Sequence, residues 1–597
     1  MDTIRVISSL EAVVVGSGFG GAVVACRSAQ RWPGAVLVLE RGKRYPAGSF
    51  ARTPDEMSSN FWNADGDRKG RKNYRHADQR GLFDVRHFRR MDAVMAAGLG
   101  GGSLIYANVI LEPPQAVFND QRWPMSCTEP AMRPYYEVVR KVLGARPLPD
   151  ASNAERRVPR AEIFADAAVK MGRKSRPLDL AVYFGDDPSA PIVPGRTVTN
   201  AHGAEQTSCT YCGECDLGCN THAKNTLDLN YLFVAEHDHR AVIETQSLVE
   251  KIVPLDADGH DDPTADGTHG YRVQYRNLDR TVSTSVVAKR VIVAAGALGS
   301  TELLLRCRDI HKTLPSLSPR LGTGFSGNGD FLTFVTGVEK ETRPSYGPVI
   351  TQAIDFNLFD QHDPDRAFIL EDAGYPNELA WFVEGAKPAV FKIGAILRAA
   401  RHALKRTARG RAGGRMGYAL RDALGGDVTS NSAVLLCMGL DSATGDLTLD
   451  RNGWVTVRWP QRANLALYKA IARAGREFGT AVSAALVATT PTWWLPIRRN
   501  VTVHALGGCP LGATRAIGVV SSDPIHFGEA FGYHNLFVAD GAIVPVSLGS
   551  NPSLTIAALA EMVAEGITGQ IPTCDLRHGS ASDVDHSAIR VRPIEIA

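Results

Sequence analysis

The sequence predicts an α/β protein with a discontinuous, doubly wound sheet interleaved with a second domain, and three observations carry that prediction. A βαβ pattern opens the chain: in EAVVVGSGFGGAVVACRSAQRWPGAVLVLERG an apolar β-branched run meets a glycine turn, a helix-compatible stretch and a second apolar run. The order strand, glycine turn, helix recurs in VVAKRVIVAAGALGSTELLL, and a third strand-like run ends at Asp540 and Gly541. At 597 residues the chain exceeds what one hydrophobic core usually serves, so matching segments this far apart imply a second domain threaded between them.

In the first unit Gly16, Gly18 and Gly21 form GxGxxG between a strand and a helix, and Glu40 closes the next strand. Glycines let the backbone approach a pyrophosphate and set it on the positive end of the helix, while the acidic residue accepts hydrogen bonds from a ribose. A purely structural glycine turn is the alternative, and the motif alone does not separate FAD from NAD. A charged stretch from about Thr53 to Arg90 follows, and then MAAGLGGGSLIYAN, where four glycines in positions 98 to 102 predict a loop against a ligand or another backbone. From 119 to 200 the text is mixed, with proline-rich joints and no repeat. AKNTLDLNYLFVAEH predicts a helix. LVEKIVPL and YRVQYRNL predict strands around a solvated tip over 256–270, whose acidic residues match no calcium-loop spacing. After about 572 a polar tail is expected.

Cys209, Cys212, Cys215 and Cys219 stand within eleven residues in C-x2-C-x2-C-x3-C spacing, while the other six cysteines are scattered. This is a metal-site pattern rather than a disulfide framework, and it suits a reducing compartment and a cytoplasmic location. The spacing is that of bacterial ferredoxins, with Asn220 where a proline usually follows and no second set to complete a two-cluster arrangement. One iron–sulfur cluster, a structural zinc site and unligated thiols all remain open.

Composition sets the remaining bounds. Hydrophobic residues make up 44% and charged residues 22%, a globular profile, and a formal charge of +3 gives no field that argues for nucleic acid. The N-terminal stretch has no secretory-signal pattern, and no apolar run reaches the about 18 residues of a membrane span. Between Lys387 and Arg421 there are ten Lys or Arg and no Asp or Glu, with apolar residues at helical spacing. Docking on an anionic membrane surface is one reading of 387–421; a solvated insertion over the core is the other.

A motif at the N-terminus, a glycine loop near 100 and a matching C-terminal segment imply one long cofactor held by distant parts of the chain, which suits FAD. Here GSGFGG at 16–21, GLGGGSLIYAN at 98–108, AAGALGSTELLL at 294–305, HALGGC at 504–509 and DGAIVPVSLGSNPSLTIAALAE at 540–561 resemble the glucose-methanol-choline (GMC) oxidoreductases, in family order over nearly the whole chain. Within that family the chain resembles the cholesterol oxidases of actinobacteria, which have a similar GGGSL-Y-AN loop, cysteine segment leading into AKNTL-NYL, and terminal Asn-Pro-Ser-Leu.

The resemblance implies a Rossmann-like FAD-binding domain over 1–48, 230–325 and 515–572. It implies a substrate-binding domain on a mainly antiparallel sheet over 49–229 and 326–514, with the flavin loop at 98–108, and leaves 573–597 as tail. It places Gly101, Ser103 and Asn108 under the flavin, Val249 as a backbone contact to adenine, and Asp540 and Gly541 beside the ring. His504 and Asn551 match the active-site pair, and Glu371 the carboxylate that moves a proton during steroid isomerisation. Ala505 and Cys509 depart from the family pattern around the histidine.

The chemistry agrees. Hydride loss from an alcohol carbon needs the hydroxyl proton to leave, a histidine can take it, and an asparagine amide can orient the hydroxyl. The plain alternatives are a backbone-bonded histidine, a helix N-cap asparagine and a surface or salt-bridged acid. The expected reaction is oxidation of an alcohol, best a 3β-hydroxysterol to a ketosteroid, with dioxygen or another acceptor reoxidising the flavin. The rivals are an iron–sulfur dehydrogenase of another alcohol or sugar, and an electron-transfer flavoprotein with no substrate of its own.

Overall fold

The computed structural model describes residues 10–62, 80–149, 157–186, 193–280, 282–359, 367–376, 430–493, 498–578 and 594–595. The basic stretch 387–421 lies outside them. Among the described residues no helix is long and apolar enough to cross a membrane.

An eight-stranded sheet organises the nucleotide half. Val242–Glu244, Val36–Leu39, Leu10–Val15 and Val282–Val293 lie parallel in that order. Val282–Val293 is twelve residues long and serves two systems along one edge. Its first half pairs antiparallel with Tyr271–Asn277, which pairs in turn with Ser247–Pro254; its last three residues pair parallel with Leu536–Val538. Within the stretch expected as a tail, Ile594–Glu595 pairs with Thr284 and Ser285. The parallel strands read as unbroken apolar runs because both faces are covered, and Ala12, Val13, Val14, Leu37 and Val38 are fully buried.

Helices Phe19–Arg31, Tyr231–His237 and Ser553–Thr568 share one buried ion pair. Arg27 donates from Nε and Nη2 to Glu561 at 2.8 and 2.9 Å, and Tyr231 Oη donates to the same carboxylate at 2.8 Å. Residues more than five hundred positions apart are thereby locked in register, and removing one charge would strand the other in the core.

A six-stranded sheet, antiparallel at every pairing, forms the second half in the order Leu486–Thr489, Phe331–Thr336, Ser432–Gly439, Phe368–Ala373, Gln352–Phe356, Ser175–Pro177. Strand alternation divides its faces. Phe331, Val335, Phe368 and Leu370 pack with Phe164 and Phe478 of helices Pro159–Lys170 and Leu465–Ala481. Ile369 and Ala373 face the other way, toward Val109 and Tyr211, and Glu371 shares their parity.

The helix expected across AKNTLDLNYLFVAEH begins only at Tyr231, with the Asn230 carboxamide capping it. The physical reason is Lys224. Its ammonium is buried and donates to the carbonyls of Leu104, Tyr106 and Cys215 at 2.9, 3.0 and 2.8 Å, which holds 224–226 out of helical geometry, and Leu227–Leu229 makes only a 3-10 turn.

Candidate active site

Three parallel strands end side by side, and their turns build a backbone-lined crevice at the carboxyl edge of the sheet. Gly16 has φ +97°, and a Cβ there would stand 2.4 Å from the Ala294 carbonyl oxygen of the neighbouring turn. A Cβ on Gly21 would meet Gly16 O at 2.1 Å, and one on Gly101 would meet Gly18 Cα at 2.6 Å. Gly18 by contrast has no heavy atom within 4 Å of that position, so this part of the loop presents bare backbone outward.

Glu40 is buried and turned onto the same loop. Its Oε2 accepts from Ser17 N and Oγ at 3.1 and 2.6 Å, and its Oε1 from Gly42 N at 2.8 Å. Ser17 Oγ also accepts from Gly100 N at 3.1 Å, tying the first glycine turn to the loop at 98–108. Burial raises the Glu40 carboxyl above its usual range, and the bonds from Ser17 oppose the rise.

Asp540 closes the crevice from the third strand. It accepts from Gly296 N at 2.8 Å and Ser300 Oγ at 2.5 Å on one oxygen, and from Ala542 N at 2.7 Å on the other. Gly541 follows it, its carbonyl accepting from Gly507 N at 2.9 Å. Ser103 Oγ donates to Gly100 O at 2.7 Å and accepts from Leu227 N at 3.1 Å, which makes it an internal brace of its loop. Val249 lies half-way along Ser247–Pro254, just before the shift in its pairing with Tyr271–Asn277, where one residue bulges from the ladder.

The segment FSGNGD at 325–330 joins this crevice to the antiparallel sheet. Asp330 accepts from His504 Nδ1 at 2.8 Å on one oxygen, and from Val503 N and Thr502 Oγ1 at 2.8 and 3.0 Å on the other. The carboxylate therefore fixes the imidazole's orientation and directs Nε2 away from itself. Two residues back, the Asn328 carboxamide accepts from Leu548 N and Gly549 N at 2.9 and 3.0 Å and donates to Ser550 O at 2.8 Å. It holds the loop that presents Asn551. Asp441 in turn accepts from Ser326 Oγ, Gly327 N and Gly329 N, so the whole strap hangs on one buried carboxylate.

Asn551 donates to Glu371 Oε2 at 3.5 Å, and the helix behind it is capped at Pro552. The N-cap alternative for Asn551 is thus overturned, since its amide reaches across to the other sheet. Glu371 is 0% exposed, so the surface-acid alternative fails as well. Burial pushes its carboxyl well above the usual range, with the Asn551 amide opposing the rise. Glu371 Oε1, Asn551 Oδ1, Ser550 Oγ and both polar atoms of the Asn108 carboxamide, a residue at φ +71°, are buried with no partner among the described residues.

Two segments of the chain match the models of one family: residues 197–308 and residues 448–560 each match a GMC oxidoreductase domain. The protein is a GMC oxidoreductase. Cholesterol oxidases of Acinetobacter baumannii and Mycobacterium tuberculosis are each 28% identical to it over 572 residues, spanning 92% and 93% of this chain and 92% and 90% of theirs. Among solved structures, a formate oxidase of Aspergillus oryzae superposes with a TM-score of 0.58 at 14% identity, over 95% of this chain and 99% of its own.

Membership makes this GMC oxidoreductase an FAD enzyme acting on alcohols, and its residues fit the cofactor. The bare backbone at Gly18, opposed by Gly101, suits a pyrophosphate. The partnerless amide and hydroxyl atoms of Asn551 and Ser550 suit the polar edge of a flavin and a substrate hydroxyl. Sequence reasoning missed Ser17, Asn328, Asp330 and Asp441. The glycines flanking Asn328 were the available signal, because a strap that must bend between two sheets needs them.

The cysteine segment lies against this site through the Lys224 bonds. Cys209 is buried, Cys215 and Cys219 are half-buried, and Cys212 is exposed. Burial pushes the Cys209 thiol well above its usual range, so it is not an activated nucleophile. No three of the sulfurs lie within 4.8 Å of one another. Among the described residues the only such group is Asp256, Asp258 and His260, a surface turn with its own backbone hydrogen bonds.

Proposed function

We propose that this GMC oxidoreductase oxidises the 3β-hydroxyl of a sterol to a ketone and then shifts a ring double bond. The observation that carries the reading is the contact between Asn551 and Glu371, which sets a buried, partnerless carboxyl oxygen beside the alcohol-orienting amide. The two cholesterol oxidases at 28% identity over most of the chain support it.

FAD supplies, when bound, the two-electron acceptor for the hydride. The protein's own part is positional and acid–base. Asp330 holds His504 Nδ1, so Nε2 faces the substrate hydroxyl and takes its proton as the carbon–hydrogen bond breaks. Asn551 orients that hydroxyl with its amide. Glu371, kept apart from water, then takes a proton from the carbon beside the new ketone and returns it further along the ring. It acts from its ionised form, for which a raised pKa means a stronger base, and it keeps the captured proton from water until it is returned. Dioxygen or another acceptor completes the cycle.

The test is an anaerobic absorbance spectrum before and after cholesterol, followed by air. Bleaching of the flavin bands by the sterol and recovery with air is the expected result. No bleaching by cholesterol, with bleaching by a different alcohol, removes the sterol reading.

A further inference from the structure

We propose that Cys209, Cys212, Cys215 and Cys219 form a four-thiolate site for one iron–sulfur cluster, set against the loop at 98–108. The ferredoxin spacing raises the idea, and four features of the folded segment carry it.

Two of the sulfurs are met by a backbone N–H: Tyr211 donates to Cys209 at 3.4 Å and Ala223 to Cys219 at 3.2 Å. Hydrogen bonds of this kind stabilise thiolate ligands and tune cluster potentials. Second, all six pairs of these thiols are near enough to interact electrostatically, so the segment gathers them around one volume.

Third, the gathering is too wide for one metal ion. Bonds of about 2.3 Å in a tetrahedral zinc site bring sulfurs to about 3.8 Å. No three sulfurs here lie within 4.8 Å of one another. Ligands that each take a different iron of a cluster stand further apart, as these do.

Fourth, a buried cation stands beside the sulfurs and the loop that carries them is fastened. The Lys224 ammonium is buried against Cys215 and Cys219, and Arg52 donates to the Gly218 carbonyl and to Glu214. Gly218, at φ +95°, turns Cys219 back toward the others, and a Cβ there would strike Phe50 at 2.1 Å. Asn220 replaces the usual proline and clamps the Phe50 backbone from both sides, donating to its carbonyl at 3.1 Å and accepting from its N–H at 2.9 Å. The departure from the ferredoxin pattern is therefore a fastening of the loop, and the fourth cysteine stays local.

The site stands whichever alcohol is oxidised, since nothing in it touches the substrate groups. Its test uses the full chain with FAD, purified without air from cells supplied with iron. Iron and acid-labile sulfide are counted per chain, and electron paramagnetic resonance is recorded after dithionite reduction. The expected result is a few iron and sulfide ions per chain, with a cluster signal that Cys212→Ser removes while FAD content and thermal unfolding stay unchanged. Cys574→Ser, remote in sequence and exposed, should leave the signal intact. Protein that carries FAD but no iron or sulfide, one zinc per chain, or a signal untouched by Cys212→Ser each overturns the proposal.

Discussion

The two halves of this molecule hold their parts of the active site by opposite means. In the parallel sheet the work is done by backbone: glycine turns at three adjacent strand ends approach each other so closely that a single Cβ is excluded. On the antiparallel side it is done by buried side chains, with Asp330 aiming His504, Asn328 carrying the loop before Asn551, and Asp441 holding the strap between them. A backbone site fails as a unit when a side chain intrudes. A side-chain site can lose a partner that only aims one group, as Asp330 aims His504, and keep the rest of its shape.

That contrast orders the expected effects. Gly21→Val should have the largest, because its branched side chain starts where Gly16 O already stands; flavin absorbance of the purified protein should be lost together with activity. His504→Ala should lower turnover by about 10²- to 10⁴-fold, the usual share of a positioned proton acceptor, while the flavin spectrum stays intact. Loss of flavin from this variant would show that the two halves are not independent.

Asp330→Asn should cost less, about 10- to 100-fold, by analogy with other partners that orient a functional histidine. Glu371→Gln should leave alcohol oxidation within about threefold, because the amide still meets Asn551, and abolish only the double-bond shift. Accumulation of the unshifted ketone, measured by ultraviolet absorbance, is the readout.

Glu371 also makes a stability prediction. Its carboxyl titrates above the unfolded value, so its favourable contribution is present at low pH and is lost as pH rises through the raised value. Glutamine has no such loss, and the melting temperature of Glu371→Gln relative to the parent should climb from acid to alkaline pH. A gap that does not change with pH would mean that the group is not held neutral.

The parallel half was legible in the sequence because its constraint is local. GxGxxG, the apolar runs on either side and the second glycine turn are contiguous words, and each names a backbone conformation that few residues can adopt. The catalytic face was legible only where family order pointed to it. Glu371 reads as an ordinary acid among sixty-three Asp and Glu. Nothing in its neighbours tells that strand parity and the Asn551 amide will bury it. The helix expected from Lys224 onward failed for the same reason: propensity is local, and a buried ammonium seeking three carbonyls from distant loops is not.

By itself, the sequence determined the α/β class, the nucleotide turns, the family and the ferredoxin spacing, since all of these are patterns of adjacent residues acting through backbone geometry. Only the tertiary structure decided that Asp330 and His504 are partners, that Asn551 turns to Glu371 instead of capping its helix, and that Lys224 binds the cysteine segment to the loop at 98–108. Those outcomes depend on desolvation and on hydrogen bonds between residues more than a hundred positions apart, and such groups acquire their chemistry only when folding removes the water around them.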